Sequence, residues 1–215
     1  MMYENVDKMR YYTDETLLKL SEIIYSQIKY YFNCNGDYSE CWITEKNKPY
    51  YTKNNDNTYN VKDGLHIVFP NIISQTKINK EFIKKISENE ELREKIRQVF
   101  ETTSLNNICP TNDINKIFDS NVQRWFIYGC GKADREPYLL TKIIDCETSE
   151  FLPIQYDSKT IMNKMSVVIE RDENVTYKHD IENIFKNTLS NSNSVSTFDM
   201  INSDSEEDKD YDPYF

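Results

Sequence analysis

Lys62-Asp63-Gly64-Leu65-His66-Ile67-Val68-Phe69-Pro70 is a turn running straight into a strand. The apolar, partly β-branched run starts directly after a glycine and is closed by a proline, which predicts a strand over Leu65–Phe69. Strand side chains alternate, so Leu65 and Ile67 share one face and His66 and Val68 the other. His66 therefore stands at a core edge or in a cleft. Local pattern favours a structural histidine, since a neutral imidazole near backbone carbonyls needs no further explanation. The functional alternative is a contact to nucleotide phosphate, with Lys62 close by and Gly64 letting the backbone approach.

Upstream, Cys41–Glu45 (CWITE) reads as a short strand and residues 46–60 as a polar loop without periodicity. Leu17, Leu20, Ile24, Ile28 and Tyr31 recur at helical spacing between Thr13 and Phe32, with Thr13 or Asp14 as N-cap. Asn33 to Asp37 breaks this helix, Gly36 being a natural stop. Downstream, residues 77–101 carry an amphipathic face through Phe82, Ile83, Ile86, Leu92, Ile96 and Val99, and residues 102–113 form a loop. Arg124–Tyr128 and Tyr138–Ile144 read as a strand hairpin, Ser166–Arg171 as a last strand and Asp180–Leu189 as a short helix. Strands and helices mix without repeats, so the class is α+β, with a mixed or antiparallel sheet and flanking helices.

The 215 residues suffice for one well-buried domain. The net charge of −10 is uneven: residues 203–215 hold six acids against one Lys, half of the total. Such a balance argues against tight nonspecific DNA binding, yet leaves room for a groove lined by local cations. No apolar run reaches the length of a membrane span, and the stretch MMYENVDKMR is too polar to read as a signal peptide. Cys34, Cys41, Cys109, Cys130 and Cys146 form no CxxC pair, which excludes the usual zinc spacings and predicts reduced cysteines.

Two further segments carry chemistry. In Ile117-Phe118-Asp119-Ser120-Asn121-Val122 an acid lies between apolar residues, which is costly unless it pairs or binds metal. A turn or N-cap acid is the plainer reading. Arg124-Trp125-Phe126-Ile127-Tyr128-Gly129-Cys130-Gly131-Lys132 resembles a phosphate loop, but the glycines are one residue apart and Ala133 stands where Ser or Thr is needed. A Walker-type ATPase is not supported. A strand ending in two glycines and a Lys still offers amides and a charge to phosphate, with a plain hairpin turn as the alternative.

Taken in order, these segments resemble the archaeo-eukaryotic primase domain of the primase–helicases of large nucleocytoplasmic DNA viruses. KDGLHIVFP is similar to that group's Lys-Asp-Gly-x-His motif. FDSNVQRWFIYGCGKADREPYLLTKI is similar to its later block, RYYTDETLLKLSEIIYSQI to its Arg-x-Tyr-Thr helix, and CWITEKNKPYY to the strand and Lys-Pro turn between them. The resemblance covers about residues 7–145, and SVVIER is similar to a later strand. It implies a primase-polymerase sheet and a nucleotidyltransferase acting in viral DNA replication at a cytoplasmic site in the host cell. It implies Mg²⁺ or Mn²⁺ as cofactor, and Asp119 as the catalytic metal carboxylate. His66, Gly64, Lys62, Lys132 and Arg124 would bind the nucleotide. The partners implied are nucleoside triphosphates, a DNA template, and a superfamily 3-type helicase or an upstream polypeptide completing the site, with no membrane.

The departure lies at the front. The family places two carboxylates, one residue apart, on a strand ahead of the Arg-x-Tyr-Thr helix, whereas residues 1–9 offer only Glu4 and Asp7. The expectation is a primase-like catalytic domain over 1–189 that lacks its first metal motif and is inactive alone. The competing reading is a non-catalytic nucleotide- or DNA-binding module, or an interaction protein, derived from the same fold. Residues 190–215 are rich in Ser, Asn and acids and have no apolar face, which predicts a disordered acidic tail. Deleting Ser190–Phe215 is expected to leave the thermal transition within about a degree. A clear loss of stability would show that the tail docks on the domain.

Overall fold

The computed structural model describes residues 10–34, 36–53, 59–105, 128–130, 136–165 and 175–178. Asp119, Arg124, Lys132, Cys109, the segments expected at Ser166–Arg171 and Asp180–Leu189, and the tail from Ser190 lie outside them.

Thr13 starts the first helix, α1 (Asp14–Tyr31). Its backbone is extended, its hydroxyl accepts the Thr16 amide, and the Thr16 hydroxyl accepts the Thr13 amide in return. This reciprocal pair satisfies two amides that the helix cannot bond itself. Leu17, Leu20, Tyr25 and Ile28 are buried, so the inward stripe runs through Tyr25 where spacing pointed to Ile24. The Tyr25 hydroxyl remains satisfied by donating to Glu147 at 2.6 Å. Phe32 turns extended and opens β1 (Phe32–Cys34), one residue before the predicted break. Gly36, at φ 91°, belongs to the turn towards β2 (Glu40–Glu45).

Next come β3 (Tyr50–Lys53) and β4 (Tyr59–Lys62), which pair antiparallel with Tyr50 opposite Lys62. This corrects the loop expected over 46–60. A ladder is made by main-chain groups, so a polar Tyr, Thr and Asn sequence forms one without an alternating apolar signal. β5 (Leu65–Val68) follows as predicted. The amphipathic segment is two helices, α2 (Thr76–Glu88) and α3 (Glu90–Thr103). They part at Asn89, whose side chain accepts the Leu92 amide at 3.0 Å and caps α3. The chain continues through β6 (Leu139–Asp145), β7 (Glu150–Leu152), α4 (Ser158–Met165) and β8 (Val175–Tyr177).

The main sheet has the order β5-β2-β6-β7, with every neighbouring pair antiparallel. Of the predicted hairpin, β6 is the second strand; it pairs with β2 and β7, and residues 124–127 lie outside the described ones. A bulge shifts the β2–β6 register between Ile43 and Thr44, so that Leu140 and Ile143, three apart, join one apolar cluster. Cys41, Ile43 and Ile144 pack with Leu65 and Ile67 against α1, α2 and α3. Trp42, Leu140 and Ile143 pack with Val68 against Ile161 of α4 and Tyr156. The alternation predicted for β5 thus separates two cores, one on each face of the sheet. The architecture is α+β, an antiparallel sheet flanked by helices.

A separate two-stranded sheet joins β1 and β8. Residues 1–176 form one compact unit; of the second, 177–215, only Tyr177 and Lys178 are described. Among the described residues no helix is long and apolar enough to cross a membrane, and Cys34, Cys41, Cys130 and Cys146 are free thiols.

The Thr13 hydroxyl also donates to the Thr103 carbonyl at 2.8 Å, tying the start of α1 to the end of α3. Thr13→Ala is expected to lower the unfolding free energy by about 1–2 kcal/mol. Thr13→Ser, which keeps the hydroxyl, should stay within about 0.5 kcal/mol of wild type in denaturant melts. Equal losses in both variants would show that the hydroxyl carries neither role.

Candidate functional site

β5 begins, β2 ends and β6 begins at the same end of the sheet, where Glu45 lies opposite both Leu65 and Leu139. One residue further out stand Gly64, Lys46 and Tyr138. The Tyr138 ring stacks on the His66 imidazole with centroids 4.0 Å apart and planes 22° apart. Lys46 Nζ lies 5.2 Å from the Tyr138 ring centre and 4.4 Å from that of Tyr50. His66 is half-buried and pairs across the ladder with Thr44. The Thr44 Oγ1 is buried and has no hydrogen-bond partner among the described residues.

Gly64 is glycine for space. Positive φ among the described glycines is confined to Gly36 and Gly129. A Cβ at position 64 would instead lie 2.8 Å from the Tyr138 hydroxyl. The space beside the Gly64 backbone is taken up by the tyrosine hydroxyl.

Arg10, just ahead of α1, gathers the charges at this end. Its Nη1 donates to Asp63 at 2.8 Å and to the Tyr12 hydroxyl, and lies 3.5 Å from Glu45. Its Nη2 donates to the Lys46 carbonyl. The Glu45 side chain is only 3% exposed, a placement that demands full compensation. It accepts the Tyr12 hydroxyl at 2.7 Å and the Thr141 hydroxyl, with Lys142 Nζ at 3.8 Å. Burial, and donation to Glu45, push the Tyr12 phenol far above its ordinary value. Burial pushes Asp63 up to about 6, against the pull of Arg10 and with the Glu45 charge adding to the rise. Asp63 Oδ2 is buried without a hydrogen-bond partner among the described residues.

Of the residues singled out in the sequence, Gly64 and His66 meet at this sheet end. Lys62 ends β4, two residues ahead of Gly64. Asp119, Arg124 and Lys132 lie outside the described residues. The sequence reading missed Tyr138, Lys46, Arg10, Asp63 and Glu45. All five stood inside the quoted motifs, and Glu45 closed the predicted strand Cys41–Glu45, whose other residues are apolar or small, which was the available signal. Among the described residues no three His, Cys, Asp or Glu side chains gather closely enough to hold a metal ion. Glu45 and Asp63 are both engaged by Arg10, so this pair does not fit a divalent-metal centre.

The raised Asp63 value has a definite sign. Below its ordinary 3.8 the carboxyl is protonated folded or unfolded. Between there and about 6 the unfolded chain has released the proton and the folded chain retains it, so stability falls as pH rises and levels off above. Measured against Asp63→Asn, the wild type should lose on the order of 2 kcal/mol between pH 4 and pH 6. A difference that stays flat, or grows, across that window would contradict the burial of this carboxylate.

The sequence matches the family described as "C962R protein N-terminal AEP domain" over residues 2–144. It is also similar to the "Putative helicase L207/L206" of Acanthamoeba polyphaga mimivirus, 29% identical over 140 residues, covering 61% of this chain and 13% of that protein's length. The matched region contains α1 with its Arg10 entry, the central strands and the His66 turn, and the chain belongs to this archaeo-eukaryotic primase (AEP) domain family.

Proposed function

We propose that the domain binds a nucleoside triphosphate at the open end of the main sheet and serves template-directed nucleotidyl transfer in viral DNA replication. The observation that carries the reading is the placement of His66: a half-buried imidazole on the strand that follows Asp63 and Gly64, with Lys46 at the same sheet end. In a protein of net charge −10, the Lys46 ammonium over the Tyr138 ring places one cation beside the imidazole, a local provision for an anion. His66 donates to a phosphate oxygen in this reading, and Lys62 and Lys132 add charge to the same triphosphate.

Mg²⁺ or Mn²⁺, when bound, neutralises the phosphates and sharpens the attacking hydroxyl as a nucleophile. Asp119 is the carboxylate assigned to that ion. Glu45 and Asp63 serve the scaffold instead, because Arg10 and Lys142 already balance them. The mimivirus relative is named a helicase, and a helicase acting on the same DNA is the partner proposed. The engagement of Glu45 and Asp63 also favours a second reading, a nucleotide- or DNA-binding module without catalysis.

His66→Ala is expected to weaken binding of ATP with Mg²⁺ roughly tenfold, with little change in thermal midpoint. Asp119→Asn should leave metal-free ATP binding intact and abolish its enhancement by Mn²⁺. Calorimetric titration reads both. Unchanged affinity in His66→Ala would overturn the phosphate contact, and undiminished Mn²⁺ enhancement in Asp119→Asn would overturn the metal assignment.

A further inference from the structure

We infer that Tyr138 is a positioning residue that sets the imidazole of His66, and that Gly64 is a glycine in order to admit it. The functional side of this inference rests on the reading of His66 as a phosphate contact.

Gly64 precedes β5 and Tyr138 precedes β6, and β2 lies between those strands in the sheet. Neighbouring strands are about 4.8 Å apart, so the Tyr138 side chain reaches across the end of β2 to touch β5. Its ring lies on the His66 imidazole, while its hydroxyl occupies the space that a side chain at position 64 would claim. Lys46, on the strand crossed, carries its ammonium 5.2 Å from the centre of the same ring. The phenol is thereby located at both ends, by the imidazole and by the bare backbone of residue 64.

The two constraints are coupled because the ring is rigid. A methyl group at position 64 displaces the hydroxyl, and the ring moves with it and leaves the imidazole. Removing the hydroxyl instead relieves the contact, since the next atom, Tyr138 Cζ, lies 3.9 Å from the would-be Cβ, an ordinary packing distance. A histidine half-buried on a strand has two side-chain torsions to fix before it can present a nitrogen to a phosphate. The stacked phenol restricts both.

The test uses the two histidines of the chain, His66 and His179, whose imidazole proton resonances are assigned by the loss of one set in His66→Ala. A stacked phenol shifts the His66 protons upfield. Gly64→Ala and Tyr138→Leu are expected to return them to unstacked positions. Tyr138→Phe, which keeps the ring, should leave them shifted, and the double variant Gly64→Ala/Tyr138→Phe should restore the shift. Affinity for ATP with Mg²⁺ should follow the same order, falling roughly threefold to tenfold where the stack is lost. His66 resonances indifferent to Gly64→Ala, or unrestored in the double variant, would overturn the inference. Resonances that follow the order while affinity does not, even in His66→Ala, would overturn the phosphate contact and leave the Tyr138 brace standing.

Discussion

One guanidinium holds this end of the molecule together. Arg10 bonds Asp63 at the turn into β5, approaches Glu45 at the end of β2, bonds Tyr12 at the approach to α1 and caps the Lys46 carbonyl. Three segments far apart in sequence are joined through a single side chain. Arginine suits the task because its planar fork stays charged when partly buried and presents several donors in fixed directions. Without it, Asp63 would lose its ion pair and the buried Glu45 would be left with Lys142 at 3.8 Å, and removing one partner of a buried pair typically costs about 3–5 kcal/mol.

The sheet then imposes a division of labour. β2 is its second strand, and Cys41 through Glu45 are all buried, because helices cover one face and α4 with Tyr156 the other. Alternation along β5 sends Leu65 and Ile67 towards α1–α3 and leaves His66 beside Val68 on the opposite side. The acids belong to the first side, where Arg10, Tyr12 and Lys142 balance Glu45. The imidazole belongs to the second, against Tyr138. A scaffold of compensated charge therefore adjoins the candidate nucleotide contact without supplying its chemistry. This arrangement explains why the acids nearest the motif are poor metal ligands.

Much of this was readable from short stretches of sequence. The α1 helix with its Thr13 cap, the strand at 41–45 and the strand at 65–68 with its two faces all depend on residues within a few positions of one another. Hydrophobic period and capping chemistry report such contacts directly. The motif Lys62 to Pro70 identified the family for the same reason, as a local string. Where the local signal was weak the reading failed. β3 and β4 are held by main-chain bonds that leave no apolar pattern, and the amphipathic face of residues 77–101 did not mark where the extended backbone of Asn89 parts the two helices.

The sequence by itself determined which faces the strands present, where the principal helix begins, and that His66 follows a glycine turn on a strand. Only the tertiary structure decided what meets at the sheet end. Tyr138 lies on His66, its hydroxyl claims the space above Gly64, and Arg10 answers Asp63. Side-chain period is a property of one strand, whereas these contacts depend on strand order, on register and on a bulge between β2 and β6. Those are settled by pairing of β2 with β5, 20 to 26 residues away in the chain, and with β6, 94 to 105 residues away, for which no local pattern carries information.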